Sequence, residues 1–156
     1  MATKKMAIIA TKGTLDMAYP PLILASTAAS LGWEVQVFFT FYGLQLLRKD
    51  LSSIAISPLA NPAMPMPVPM PVVVSVLPGM EAMATSMMKA KLKKKGVASL
   101  EELRGVCQEA DVKFIACQMT VDLFDFTKSD FIDGIEYGGA ATFMKFAGES
   151  DVCLFI

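Results

Sequence analysis

The stretch KMAIIATKG, residues 5–13 of this 156-residue chain, is the first strong indication of its class of fold. Its first six residues have the short apolar pattern of a buried strand, and the polar Thr-Lys-Gly that follows ends it. A helix is predicted next, starting at Thr14 or Asp16, and Gly32 supplies a left-handed end for it. The stretch WEVQVFFT, residues 33–40, alternates and is rich in β-branched and aromatic residues, which predicts a second strand. A strand, a helix and a strand in this order favour a parallel sheet.

The rest of the chain continues this alternation of strands and helices. Further strands are predicted at 53–57, 112–117, about residue 135 and 152–156, and further helices at 41–49, 79–96, 99–110 and from about residue 139. The last strand is predicted to be buried. We therefore predict one domain over residues 1–156 with a flavodoxin-like α/β fold. It is a three-layer sandwich around a mostly parallel sheet of about five strands.

Residues 58–79, PLANPAMPMPVPMPVVVSVLPG, do not fit this alternation. They hold seven of the nine prolines, which excludes a helix and disfavours a strand. The segment is too apolar for a solvated linker, so we interpret it as a long functional loop or an interface arm in an extended conformation. Packing over the protein's own core is the alternative. The helix at 79–96 then carries an apolar stripe of methionines, Met80, Met83, Met87 and Met88.

Composition and charge exclude several classes of protein. The chain has 54% hydrophobic and 19% charged residues and a net charge of −1, so neither disorder nor nucleic-acid binding is expected. It has no histidine, no Cys-x-x-Cys and no phosphate-binding glycine motif, which argues against His-dependent catalysis, zinc sites and nucleotide sites. No signal peptide or membrane-spanning stretch is recognisable. Three cysteines, an odd number, fit the reducing cytoplasm better than a disulfide framework.

Polar residues follow three of the predicted strands, at the edge where parallel α/β sheets bind ligands. The three sets are Thr11–Gly13, Thr40–Gly43 and Cys117–Thr120. A thiolate that acts on a sulfur-containing anion needs a positive lining, because negative charge collects where sulfur is exchanged. The candidates for binding such an anion are Lys12, Gly13, Tyr42, Gly43, Gln118 and Thr120.

The three cysteines have different expected environments. Cys153 lies in an apolar strand and is interpreted as a buried filler. Cys107 shares a helix face with two leucines and is expected to face the sheet near the last turn of its helix. Cys117 ends a strand, and a helical turn after it would direct its backbone amides at the sulfur and favour the thiolate. Placement alone leaves two roles open for Cys117, a reactive thiol or a strand-end packing residue.

Four stretches make the chain similar to the DsrE/DsrF-like sulfurtransferase family, and most closely to its soluble DsrE3-type branch. They are SPLANPAMPMP (57–67), LPGMEAMATSMMK (77–89), VKFIACQMTVDLF (112–124) and DGIEYGGAATFMKFA (133–147), and together they extend over nearly the whole chain. The resemblance implies a small α/β protein that forms homo-oligomers, trimers or larger. It also implies sulfur chemistry at Cys117, with Cys107 as a resolving or second acceptor thiol.

The activity implied by the resemblance is that of a sulfur carrier or sulfurtransferase, more a stoichiometric carrier than a fast enzyme. Cys117 would accept sulfane sulfur, as a persulfide or thiosulfonate, from tetrathionate, thiosulfate or polysulfide. It would pass this sulfur to TusA-like carriers and other sulfur-relay proteins during sulfur oxidation. Apolar walls from Phe41, Met64, Met66 and Met119 would shield the persulfide. We expect no metal and no organic cofactor.

Two alternatives stay open. The chain could be a non-catalytic assembly or interaction module that acts through its Pro/Met-rich arm, since methionine and pre-extended proline suit partner binding. A nucleotide or flavin site by fold analogy is weaker, because a shared fold does not carry function. The lysines at 89–95 are either a solvated helix end or a docking site for an acidic partner carrier.

Overall fold

The computed structural model describes residues 2–58, 63, 65, 67, 68 and 71–156. The strands are β1 (Lys5–Ala10), β2 (Glu34–Phe39), β3 (Lys113–Cys117), β4 (Glu136–Gly138) and β5 (Val152–Phe155). The helices are α1 (Leu15–Ser30), α2 (Val72–Ser75), α3 (Met80–Lys94), α4 (Leu100–Glu109), α5 (Gln118–Leu123) and α6 (Ala140–Ala147). Short 3-10 helices span Phe41–Leu47 and Lys128–Asp130.

The five strands form one sheet in the order β4-β3-β2-β1-β5, with every neighbouring pair parallel. Along β1, Ile8 and Ala10 belong to the core beneath α1 and α4, whereas Ala7 and Ile9 face α6. Alternate side chains of β1 thus point to opposite faces of the sheet, and each face is covered by helices. This confirms the predicted α/β sandwich. The strand order differs from the 2-1-3-4-5 order of flavodoxin, because β5 takes the place beside β1 that the second strand has there.

Helix α4 begins as its sequence predicts. Ser99 is the N-cap, its hydroxyl accepts the Glu102 N–H, and the Glu102 carboxylate accepts the Ser99 N–H. This reciprocal capping box satisfies two of the N–H groups that a helix start leaves unpaired. At the other end of α4, Cys107 is fully buried as expected, but its thiol donates to the Leu22 carbonyl at 3.4 Å and so contacts α1.

The predicted strand at 53–57 is wrong. Ile54 and Ile56 are buried, which imitates the alternation of a strand. The backbone, however, bonds to helices and not to the sheet, since the Ile56 N–H donates to the Thr85 hydroxyl and the Leu15 N–H donates to the Ala55 carbonyl. The segment is an irregular connection held between α1 and α3.

The predicted extended arm at 58–79 needs a correction at its end. Val72–Ser75 forms one helical turn, α2, directly after Pro71. A proline is tolerated at a helix start, because the N–H groups there have no partner within the helix. Met64, Met66 and Met70 lie outside the described residues. The methionine stripe of α3 is also corrected, because Met83 and Met87 are exposed, Met88 is half-buried, and Thr85 is the residue that α3 buries.

The last strand is not buried as predicted. β5 lies at an edge of the sheet, bonded on one side to β1. Cys153 and Phe155 are therefore exposed, although the Cys153 thiol still donates to the Ala147 carbonyl of α6 at 3.4 Å. The interpretation of Cys153 as a buried filler was wrong because the sequence does not reveal which strand is an edge strand.

Candidate functional site

Cys117 is the last residue of β3 and the N-cap of α5. Its side chain points to the α6 face of the sheet, where it packs in a cluster with Phe38, Ile115, Phe143 and Phe146. The residue is only 5% exposed. A thiol in this position lies at the carboxyl edge of the sheet, next to water yet shielded from it.

Hydrogen bonds around the sulfur favour its charged form. Burial raises the pKa of the Cys117 thiol, but the Thr120 side chain and backbone, the Thr40 side chain and the Met119 backbone more than offset this and lower the pKa. Donors that bind an anion stabilise it against its neutral form. Cys117 therefore has the environment of a reactive thiol and not that of an inert core cysteine.

Thr120 links Cys117 to the neighbouring strand end. Its side chain is fully buried, and its hydroxyl lies 3.2 Å from the Thr40 hydroxyl. The Thr120 hydroxyl also accepts the Phe41 N–H at 3.2 Å. Phe41 has a φ of 48°, in the left-handed region that a bulky residue rarely adopts. Such backbone strain persists only where the surroundings hold it, and it is common at functional sites.

Gly13 and Gly43 hold two loops together at this edge. A Cβ on Gly13 would come within 2.3 Å of the Tyr42 carbonyl oxygen, and one on Gly43 within 2.1 Å of the Ala10 carbonyl oxygen. The Gly43 N–H donates to the Thr40 carbonyl within its own turn. The predicted role of the Gly43 amide in anion binding is thus replaced by a structural one, close approach of backbone to backbone.

The predicted site residues fall into two groups. Lys12, Gly13 and Tyr42 line an open pocket of about 490 Å³ together with Thr14, Met17, Gln45 and Ser57. Cys117 does not line this pocket. Tyr42 connects the two groups, because its ring stacks on Phe124, just after α5, with 6.2 Å between centroids. Gln118 is exposed and its amide donates to the Asp122 carboxylate at 2.8 Å.

The structure separates Cys107 from Cys117. The Val112 N–H donates to the Cys107 carbonyl, so Cys107 lies beside the start of β3, whereas Cys117 ends that strand. The five steps along the chain from Val112 to Cys117 would rise about 16 Å in a parallel strand. A disulfide requires Cα atoms within about 7 Å. Burial also raises the pKa of Cys107 to about 11, which disfavours a second acceptor thiol.

Sequence reasoning missed Thr40 as a partner of the thiol. The signal was present, because Thr40 follows β2 as the residues after Cys117 follow β3, and the two strands are neighbours. The register that pairs Phe39 with Ala116 brings Thr40 beside Cys117. Among the described residues, no cluster of three or more His, Cys, Asp or Glu side chains could hold a metal ion. None of the helices in that part of the chain has the length and apolar character needed to cross a bilayer.

Comparison with known proteins gives matches over the full chain. The model of the DsrE/DsrF/DrsH-like family matches residues 2–155. The chain is 68% identical over 160 residues to the "Sulfur carrier protein DsrE2" of Allochromatium vinosum, covering 100% of both. It is 32% identical to the "Uncharacterized protein YrkE" of Bacillus subtilis over 158 residues, covering 99% of this chain and 98% of that one.

A solved structure supports the same fold. The ychN protein of E. coli superimposes with a TM-score of 0.61 over 99% of this chain and 100% of that chain, at 12% identity. That likeness concerns the fold alone. The placement in the DsrE3-type branch stays a prediction, since the relative of 68% identity carries the name DsrE2. From the family model and these relatives, the chain is a member of the DsrE/DsrF/DrsH-like family.

Proposed function

We propose that the protein is a sulfur carrier that accepts sulfane sulfur on Cys117 and passes it to partner proteins. The observation that carries this proposal is the Cys117 thiol itself, held at the sheet edge by hydrogen bonds that lower its pKa. The name of the Allochromatium vinosum relative, a sulfur carrier protein, supports the same role. The chemistry is thiol exchange, whose rate depends on the thiolate fraction and on intrinsic nucleophilicity.

The transfer needs no oxidant or reductant from outside. The Cys117 thiolate attacks the outer sulfur of a donor persulfide, a new S–S bond forms, and the donor leaves as a thiolate with the electron pair of the broken bond. With tetrathionate, attack on a sulfane sulfur releases thiosulfate and leaves a thiosulfonate on Cys117. A partner thiolate then attacks the carried sulfur, and the Cys117 thiolate is the leaving group.

The pocket beside Tyr42 is the proposed place for the anionic end of a donor such as tetrathionate, thiosulfate or polysulfide. Lys12 is exposed at this pocket and provides a positive charge. Tyr42 and Gln45 add polar groups to the lining. Gln118 is exposed at the first turn of α5 and directly follows Cys117 in the chain. Met119 and Phe41 are exposed near the thiol and are the proposed apolar cover for a persulfide.

The proposed acceptors are TusA-like carriers and other sulfur-relay proteins in a reducing cytoplasm. The lysines at the end of α3, Lys89, Lys91, Lys93, Lys94 and Lys95, form an exposed basic surface that suits an acidic carrier. Electrostatic steering is screened by salt. Raising the ionic strength should therefore slow transfer to the carrier and leave loading by a small donor less affected.

A non-catalytic role in assembly is the second candidate, and one observation favours it. Six apolar side chains of α2, its following turn and α3 are exposed: Val72, Val73, Val76, Leu77, Met83 and Met87. Exposed apolar patches commonly mark contact with other proteins. A second copy of the chain is the partner this candidate requires, in line with the predicted homo-oligomer.

Intact-mass spectrometry of the reduced protein after brief exposure to tetrathionate or polysulfide tests the carrier proposal. Wild type and Cys107→Ser should gain a sulfur adduct that dithiothreitol removes, and Cys117→Ser should not. Cys153→Ser is the control for adventitious reaction at an exposed thiol. An adduct that persists when Cys117→Ser is combined with Cys153→Ser in a folded protein would overturn the assignment and favour the assembly role.

A further inference from the structure

We infer that Thr40 and Thr120 form a hydroxyl pair that positions the Cys117 sulfur, supplies hydrogen bonds to its thiolate, and ties it to the Phe41 turn. This inference deepens the proposed function and rests on it, because a carrier thiol must be ionised to accept sulfur. It replaces the sequence-based assignment of Thr120 as a substrate-binding residue. A fully buried side chain cannot contact a substrate.

The burial of Thr120 is the first argument. A valine would fill nearly the same space, and burying a hydroxyl costs free energy unless it is hydrogen-bonded. Here the hydroxyl oxygen accepts the Phe41 N–H and lies 3.2 Å from the Thr40 hydroxyl. No buried side-chain nitrogen or oxygen among the described residues lacks a partner. The hydroxyl therefore belongs to a satisfied network and not to chance packing.

Counting protons gives the second argument. The Phe41 N–H occupies one acceptor position on the Thr120 oxygen and leaves the Thr120 hydroxyl proton free. That proton can point at the Thr40 oxygen or at the Cys117 sulfur, with which both hydroxyls interact. The Thr40 hydroxyl has the same choice. Next to a neutral thiol the two hydroxyls can bond to each other, and next to a thiolate they can turn toward the sulfur. The pair thus adapts to the charge of Cys117 by rotating hydrogens alone.

Charged side chains are not the source of this stabilisation. The groups packed around the sulfur are apolar or neutral: Phe38 of β2, Gly138 of β4, Met119 and Thr120 of α5, and Phe143 and Phe146 of α6. The acidic and basic residues of the same elements are exposed and have other partners where these are resolved, and the half-buried Tyr137 of β4 packs against Phe131. Asp122 accepts from Gln118, and Glu136 pairs with Lys113 at 4.0 Å. Lys145 is exposed on α6.

The Phe41 turn gives the third argument. Its φ of 48° is an unfavourable conformation that must be held by surrounding contacts. The Phe41 N–H donates to the Thr120 hydroxyl, so one side chain fixes both the sulfur and the turn that carries Phe41 and Tyr42. Thr40 and Thr120 are positioning residues, because they act through Cys117 and the turn.

The test measures the pH dependence of Cys117 alkylation by iodoacetamide in a Cys153→Ser background, followed on the peptide that contains Cys117. Thr120→Val should move the midpoint of the profile up by about one pH unit, because it removes a hydrogen bond to a charged group. Alkylation at pH 7 should slow by only about threefold. The thiolate fraction falls about tenfold, but a thiolate of higher pKa is intrinsically more nucleophilic, and this offsets part of the loss. Thr120→Ser should restore the wild-type profile, and Thr40→Val should shift it less.

Outcomes separate this inference from the proposed function. An unchanged midpoint in Thr120→Val, or a shift that Thr120→Ser does not reverse, with folding confirmed by circular dichroism, overturns the hydroxyl pair. If Thr120→Val does not fold, Thr40→Val is the deciding variant. An upward shift of its midpoint, with a wild-type midpoint in Thr120→Ser, supports the hydroxyl pair, and an unchanged midpoint overturns it. A sulfur adduct on wild-type Cys117 with no midpoint shift leaves the carrier role standing and removes the pair. A midpoint shift without any adduct supports the pair and removes the carrier role.

Discussion

Two apolar regions of this chain differ in how the fold uses them. At the carboxyl edge of the sheet, Cys117 and Thr120 are buried and fixed by hydrogen bonds to neighbouring strand ends. In α2 and α3, residues 72–94, most apolar side chains are exposed, and Thr85 is the residue that α3 buries. A hydrophobic sequence alone thus does not locate the core. Both regions are rich in apolar residues, but only the sheet edge around Cys117 is buried. The difference indicates that the first region depends on precise contacts and that the second tolerates change within a single chain.

The largest expected difference is in stability. Leu22 on α1 is 1% exposed and Met87 on α3 is 66% exposed. Leu22→Ala should lower the free energy of unfolding by about 2–5 kcal/mol, because it removes buried methyl groups and leaves a cavity. Met87→Ala should change it by less than about 0.5 kcal/mol, as surface substitutions usually do. Urea denaturation of both variants measures the two values.

The same two variants can also show that the exposed face of α3 is covered in solution. A cost above about 1 kcal/mol for Met87→Ala that grows with protein concentration would mean that a second copy covers the α3 methionines in solution. The predicted homo-oligomer would then involve this face. A small cost that is independent of concentration would keep the face outside any stable interface.

Cysteine reactivity should differ by a factor of about 100 or more between the two buried thiols. Burial raises the pKa of Cys107 to about 11, and hydrogen bonds lower that of Cys117. At pH 7.5 only about one Cys107 in three thousand would be ionised, and its side chain has no access to solvent. Iodoacetamide should therefore label Cys117 well before Cys107 in the native protein. Labelling in urea, where both thiols are accessible, is the control, and equal native rates would contradict the assignment.

Two glycines test how tightly the sheet edge is packed. Gly43→Ala should destabilise the protein by about 1–3 kcal/mol, because the new Cβ would come within 2.1 Å of the Ala10 carbonyl oxygen. Gly105→Ala on α4 is the matched control, since nothing lies within 4 Å of its Cβ position. Alanine inside a helix should stabilise by about 0.5–1 kcal/mol. Thermal unfolding should show a lower midpoint temperature for Gly43→Ala and a higher one for Gly105→Ala. An unchanged midpoint in Gly43→Ala would show that the two loops can move apart.

The smallest effect concerns the start of α1. Burial raises the pKa of Asp16, but hydrogen bonds from the Ser57 hydroxyl and N–H outweigh it and lower the pKa below its ordinary value. A carboxylate of this kind stabilises the fold above its unfolded pKa of about 3.9, and this stability is lost as pH falls through the lower folded value. Wild type should therefore lose more stability than Asp16→Asn between pH 5 and pH 2. Urea midpoints across this range measure it, and parallel curves would exclude the effect.

Sequence patterns predicted the elements whose hydrogen bonds are local or whose strands are long. β1, β2, β3 and α4 follow their apolar periods and their caps, and the capping box at Ser99 is confirmed bond by bond. The strand predicted at 53–57 failed because Ile54 and Ile56 alternate in burial while their backbone bonds to α1 and to Thr85. Periodicity reports which side chains are buried and not where the N–H groups donate.

The site was predicted only in part, because local sequence patterns do not report contacts between distant segments. Cys117 and its sheet edge could be inferred from a strand that ends in a polar turn. The Thr40–Thr120 contact spans 80 residues and depends on the register of β2 against β3, which no local pattern encodes. The exposure of Cys153 depends on β5 being an edge strand, another property of topology and not of composition.

The sheet order also bears on how the chain folds. Met6 pairs with Val35 of β2 and with Val152 of β5, so the second pairing closes a loop about five times longer. The added closure entropy is only about 1.4 kcal/mol, since it grows with the logarithm of loop length. Long-range pairings tend to form late. The nucleus is therefore expected in β1, α1 and β2, with β5 docking last. Val152→Ala should then speed unfolding and leave the refolding rate nearly unchanged in stopped-flow measurements.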